Sequence, residues 1–223
     1  GRGLFLSADS PETLVGSLLR VMQDIQAHKA TGASVSINTQ ELRSDTYLYQ
    51  ATYIPGEWIG DVEAKPLDPT YGYIQQIQDA LGNYVDQVDW SASAKLQTKG
   101  WANRQIITYN DASLTGVPFE YASLSAAQKA LLNGNATIAQ ALVTYLRGDA
   151  SGEIRNGGLF RDRSAILGDI VHASPMPYRW DSSQPGVIFA GANDGMLHAL
   201  RESDGEEIFA YVTNMAFKNL KLL

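Results

Sequence analysis

Two of the three histidines in this chain stand near a carboxylate: His172 follows Asp169 by three residues, and His198 follows Asp194 by four. A carboxylate beside an imidazole is the pairing that proton transfer and metal ligation both use. Neither pair has the helical spacing of a two-histidine zinc site, and Asp194 opens an Asp-Gly dipeptide whose turn already accounts for it. The expectation for the histidines is therefore strand or turn residues with local hydrogen bonds, and no metal or catalytic residue is assigned. The chain has no cysteine, which excludes thiol catalysis, disulfides and cysteine-ligated zinc. It also lacks a GxSxG elbow, a P-loop, a dinucleotide fingerprint and an EF-hand pattern, so an enzyme is the weaker class.

A different chemistry is written in Arg147-Gly148-Asp149, the tripeptide that animal integrin receptors read. These three residues are the candidate receptor-binding site. A receptor-read tripeptide is best displayed on an exposed, flexible loop. Here it follows Ile138, Leu142, Tyr145 and Leu146, the apolar face of a helix, and Gly148 falls where that helix must stop. The other charged cluster, Arg155, Arg161 and Arg163, is interleaved with Asp162 and has Asp169 close behind, which points to structural ion pairs. Trp58, Trp90, Trp101 and Trp180 lack the even spacing of a base-stacking platform and are expected to anchor cores.

The elements that must position these residues are those of a folded globular chain. Of 223 residues, 44% are apolar and 18% charged, enough for one large or two small domains. A formal charge of −7 with no basic run argues against nucleic acid as a partner. No apolar run approaches the roughly 20 residues of a membrane-spanning helix. The opening GRGLFLSADSPE lacks an initiator methionine and the order of a signal peptide, and is read as the start of an excerpt.

Leu4 to Leu6 is expected as a short strand and Ser10 to Lys29 as an amphipathic helix, with Ser10 as its N-cap. From Ala33 to Lys65 the period changes to two, and Pro55-Gly56 divides a hairpin of Thr46–Ile54 and Glu57–Lys65. The next stretch, to about Gly100, has no clear period. Arg104 to Asn110 reads as a strand, followed by helices at about Ser125–Asn133 and Ala136–Arg147, each closed by a left-handed glycine, Gly134 and Gly148. Finally VIFAGAN, MLHALRES and EEIFAYV are joined by two Asp-Gly turns into a three-stranded meander. A meander cannot bury both faces alone, and it is the pattern of most of one propeller blade.

The ordered set SADSPETLVGSLLRVMQDI, YQATYIPGEWIGDVEA, WANRQIITYN, LVTYLRGD, GLFRDRSAILGDIVHASP and VIFAGANDGMLHAL resembles the PilY/PilC tip-adhesin family of type IV pili. The resemblance covers nearly the whole chain and is most specific from Tyr145 to Tyr211. It implies a mixed α+β fold in three parts. Residues 1–30 would be the last strand and helix of a von Willebrand factor A-type domain. Residues 31–158 would be an antiparallel β-rich connecting region with two helices near its end, and 159–223 the entry and first blade of a quinoprotein-like β-propeller. It further implies a pilus-tip adhesin and assembly factor, exported to the pilus tip, cell surface or outer membrane of a Gram-negative bacterium. Such a factor supports pilus biogenesis, twitching motility and adhesion to surfaces or host cells. Its implied partners are minor pilins, the tip complex and a host-cell receptor. No cofactor is expected in these residues, calcium belonging to an acidic loop in the rest of the propeller. The alternative that the propeller likeness raises is a periplasmic quinoprotein-like oxidoreductase.

Overall fold

A computed structural model of the chain describes residues 30–37, 46–181 and 186–223. The strand expected at Leu4–Leu6, the helix expected at Ser10–Lys29 and nearly all of the 1–30 unit lie outside the described residues.

Strand β1 (Ala30–Ile37) pairs antiparallel with β2 (Tyr47–Ile54), which turns at residues 55–58 into β3 (Ile59–Pro66). A small ribbon of β4 (Gln76–Gln78) and β5 (Tyr84–Asp86) follows, and β6 (Trp90–Ser91) returns to β3 to complete a four-stranded sheet. Helix α1 (Ala92–Lys99) starts at once, because Ser91 caps it through Oγ and the Ala94 N–H. Next come β7 (Ile106–Asn110) and β8 (Thr115–Pro118), then α2 (Ala126–Leu132) and α3 (Ala136–Arg147). The chain closes with β9 (Met176–Tyr178), β10 (Val187–Gly191), β11 (Met196–Arg201), β12 (Glu207–Val212) and the single turn α4 (Phe217–Leu220). The mixed α+β class is what the structure shows, with no closed barrel or propeller among the described residues.

The expected meander is present, but it is the centre of a larger sheet in the order β8-β7-β12-β11-β10-β9. Strand β7 joins β12 in parallel, Ala210 opposite Ile106 and Val212 opposite Thr108. One sheet thus unites strands some hundred residues apart, and it draws members from both sides of residue 159.

Both helices were legible for physical reasons. Ser125 and Gln128 form a reciprocal capping box on α2, and the Asn135 side chain accepts from the Thr137 and Ile138 N–H groups of α3. At the far end of α3, Gly148 has φ +116° and donates to the Tyr145 carbonyl while Asp149 donates to Thr144, a paired Schellman ending. The same expectation fails at Gly134, which has no positive φ. There α2 stops at an extended Asn133, whose side chain accepts from the Asn135 N–H and leads directly into the next cap.

Two cores cover one face of the six-stranded sheet. Over β7, β12 and β11 lie α2, α3 and α4, burying Ile106, Met196, Ala210 and Val212 against Leu142, Val143, Leu146 and Phe217. Over β10 and β11 lies the four-stranded sheet, burying Ile188, Ala190 and Leu200 with Tyr49, Val62 and Ala64. Leu167 and Ile170 belong to this second core, on a segment bonded edge-on to β3 by Gly60 N–H to the Leu167 carbonyl at 3.0 Å. That approach requires glycine, since a Cβ on Gly60 would stand 2.6 Å from the Gly168 oxygen.

Candidate functional site

Between the two cores, in the row Ala190–His198–Ala210–Ile106, the sheet turns an imidazole inward instead of an aliphatic side chain. His198 is fully buried, as are its neighbours Glu207 and Arg104. Arg104 makes a two-pronged pair with Glu207, Nε to Oε2 and Nη2 to Oε1, both at 2.8 Å. Its remaining nitrogen, Nη1, donates to the Arg147 carbonyl at 2.9 Å. His198 Nδ1 lies 2.8 Å from Glu207 Oε1, and Nε2 lies 3.1 Å from Asp194 Oδ2. Asp194 also accepts from the Met196 and Gly168 N–H groups.

The charges fix one another. Burial alone would lower the His198 pKa, but Asp194 and Glu207 outweigh it and raise the imidazolium to about 9. Burial alone would raise Glu207, yet the Arg104 fork and His198 hold it at about 2. Asp194 is likewise lowered, the neighbouring imidazolium overcoming its burial. Two cations and two anions therefore balance, with Arg104, Glu207 and His198 buried and Asp194 partly exposed at the edge of the site. Both imidazole nitrogens donate, so no free base remains. Releasing a proton to a substrate would leave Asp194 without its cation and Glu207 with Arg104 alone, which the carboxylates that hold His198 charged oppose. The arrangement ties β7, β11 and β12 to one another.

Sequence reading named Asp194 and His198 and expected hydrogen bonds of them, and both residues make such bonds. It missed Arg104 and Glu207. Arg104 carried a signal, since it is in phase with the inward Ile106 and Thr108 of β7. Glu207 carried none: an irregularity in the β11–β12 register sets Leu200 opposite Glu207 and Ala199 opposite Phe209, moving Glu207 to the inner face. The other candidate pair is not brought together. Asp169 is buried and accepts from the Asn193 side chain at 2.7 Å, whereas His172 is exposed. Among the described residues, no three His, Asp or Glu side chains gather as a metal cage.

Arg147, Gly148 and Asp149 form the end of α3. The Arg147 guanidinium is half-buried, with its pKa lowered by that burial, and donates to the Phe119 carbonyl at 3.2 Å. The Asp149 carboxylate accepts from both the N–H and the hydroxyl of Ser151 at 2.9 Å. Gly148 is packed against Ile166 and Trp101. All three residues thus have employment within the fold.

A cleft of about 370 Å³ opens beside Asp194, lined among others by Trp58, Leu146, Arg161 and Ile166. Trp58 was expected, with the other tryptophans, to anchor a core. It is instead 59% exposed, in the left-handed region at φ +53°. Arg161 explains the conformation, donating to the carbonyls of both Glu57 and Trp58 and locking the turn from across the cleft. Trp180 is also exposed, and Trp90 is the true anchor, stacked on Tyr49 and donating to the Glu202 carbonyl at 3.1 Å. Two members of the arginine cluster form ion pairs, both through Glu153, which meets Arg155 at 2.6 Å and Arg163 at 3.1 Å.

Comparison with known proteins points in one direction. A type IV pilus biogenesis factor PilY1 homolog of Xylella fastidiosa is 30% identical over 240 residues, covering 97% of this chain and 18% of that protein. Type IV pilus biogenesis factor PilY1 of Pseudomonas aeruginosa strain PAK is 30% identical over 261 residues, and that of strain PAO1 is 29% identical over 261 residues. Each of these two matches covers 100% of the chain and 21% of the relative, so the chain spans only about a fifth of the curated proteins it resembles. No family model matches the chain, and no solved structure does.

Proposed function

We propose that this chain, which belongs to the PilY1 family of type IV pilus biogenesis factors, is a non-catalytic segment through which such a factor makes protein contacts during pilus assembly. The observation that carries the non-catalytic part is the charge-balanced Arg104–Glu207–His198–Asp194 network, whose imidazole is fully buried and engaged at both ring nitrogens. The match across the whole chain carries the pilus part. In this reading the segment connects a preceding von Willebrand factor A-type domain to a β-propeller, with the six-stranded sheet built around the propeller's first meander. The whole protein is exported and works at the pilus tip and cell surface, where its partners are minor pilins and the tip complex. It supports twitching motility and adhesion, and any calcium is held by parts of the protein beyond these residues.

The test is deletion of the encoding gene followed by complementation with the full-length allele. Surface pilin sheared from cells is expected to fall sharply on deletion and to return with the allele. Undiminished surface pilin would refute the proposal. Receptor recognition by Arg147-Gly148-Asp149 is a narrower proposal, resting on the tripeptide itself. It requires that Asp149→Ala abolish binding of the intact protein to purified integrin, and binding that survives the substitution ends it.

A further inference from the structure

The stretch from Pro66 to Asp89 forms a ribbon hanging from the end of β3, with several large apolar side chains exposed on it. Its base is tied to the four-stranded sheet. Lys65 Nζ meets the Asp86 carboxylate at 3.1 Å, the Tyr47 hydroxyl donates to Asp89 at 2.6 Å, and the Asp89 N–H donates to the Ala64 carbonyl. Beyond that base every residue of β4 and β5 is exposed. Ile77 stands opposite Val85, and Gln78 opposite Tyr84, so apolar groups point to both faces. Tyr71 and Tyr73 are each 73% exposed, Tyr84 71% and Leu81 86%. The Tyr71 and Tyr73 rings lie 6.2 Å apart and only 23° from parallel.

An isolated two-stranded hairpin is marginal in water, and aromatic residues in such numbers mark contact surfaces. This one is also held in shape. Asp68 accepts from the N–H groups of Thr70 and Tyr71, and Asp79 accepts from Leu81 and from Asn83, whose bonds keep the Asp79 carboxyl below its usual range. A loop already ordered loses less freedom on binding.

The charge of the ribbon selects its partner. From Pro66 to Ala94 there are four aspartates, Asp68, Asp79, Asp86 and Asp89, and no lysine or arginine. Such a surface repels nucleic acid and anionic lipid. Tyrosine faces fringed by carboxylates suit lysine and arginine, whose cations are drawn to the ring quadrupole and the acids together. We infer that this ribbon docks a lysine- or arginine-bearing segment of another protein, with its cations over Tyr71, Tyr73 and Tyr84. The inference rests on the reading of this chain as a protein-contact segment, and gives that contact a place and a chemistry.

The test uses the full chain and two labelled peptides, one alternating lysine and leucine and the other alternating glutamate and leucine, followed by fluorescence anisotropy. The lysine peptide is expected to bind, more weakly as salt is raised from roughly 50 to 200 mM, and the glutamate peptide not to bind. Tyr71→Ser, Tyr73→Ser and Tyr84→Ser together should weaken binding about tenfold while every aspartate remains, separating ring recognition from bulk charge. If the triple variant melts early, Tyr71→Ser alone should still weaken binding measurably. Equal binding of both peptides, no binding of the lysine peptide, or undiminished binding by the serine variants would each overturn the inference. So would a dimer of the chain that dissociates on the tyrosine substitutions, which would make a second copy the occupant. No pili enter this assay, so its failure and failure of the assembly role are read separately.

Discussion

Gly148→Ala puts the end of α3 under two distinct loads. The first is conformational: at φ +116° a side chain is strained whatever the space around it, which costs about 1 kcal/mol or more relative to glycine. The second is steric. The new Cβ would stand 2.9 Å from Ile166 Cγ2 and 3.0 Å from Trp101 Cβ, and overpacking of this kind costs roughly 1 to 3 kcal/mol. The sum is about 2 to 4 kcal/mol, a large share of the stability of an ordinary domain. Gly157 supplies the control, because it has φ +81° but open space where its Cβ would go. Gly157→Ala should therefore cost only about 1 kcal/mol. Urea unfolding of the two variants beside the parent, compared at equal slope, measures both costs. If Gly148→Ala is no more costly than Gly157→Ala, the tight ending of α3 is wrong, and Arg147-Gly148-Asp149 is looser than described here.

Two further outcomes follow from the buried charges and from the strained turn. The folded-state pKa of His198, about 9, lies above its ordinary value, so its contribution is complete below about pH 6.5 and is lost as pH rises through 9. Glu207 has the opposite sign: its contribution is present above about pH 4.5 and is lost as pH falls through about 2. Stability should thus be greatest near pH 5 to 6 and decline by about 3 kcal/mol towards pH 9; a flat profile there, or a decline that persists in His198→Gln, would contradict the network. Trp58→Gly relieves a left-handed tryptophan and should leave the unfolding midpoint unchanged or slightly higher, whereas a loss beyond about 1 kcal/mol would mean that the exposed indole is an anchor after all.

The parts of this fold that the sequence made legible are those whose causes are local. Asn135 and Gly148 bracket α3, Ser125 and Gln128 box the start of α2, and glycines 195 and 205 take positive φ where Asp-Gly predicted turns. The parts that were hidden depend on distant partners. Nothing near Ile106 reveals that β7 will lie parallel to β12, because parallel pairing is specified by side chains that meet only after folding. Strands β4 and β5 have three residues each, too few for alternation to register among Pro66, Pro69, Gly72 and Gly82. Trp58 was misread because its exposure is imposed by Arg161, a hundred residues away. Glu207 was missed because the irregular register beside Ile208 changes which face it occupies.

The central claim is that this segment serves pilus assembly through its folded surfaces and not through acid–base chemistry. It is tested most directly by replacing the whole network in the full-length protein with Arg104→Met, His198→Leu, Glu207→Leu and Asp194→Asn together, and measuring surface pilin per folded molecule in complemented cells. Uncharged replacement of every member of a buried ion network is often neutral or stabilising, so folding is expected to persist. The account predicts surface pilin at the parental level. A folded variant that assembles no pili would contradict it and return His198 to the catalytic reading.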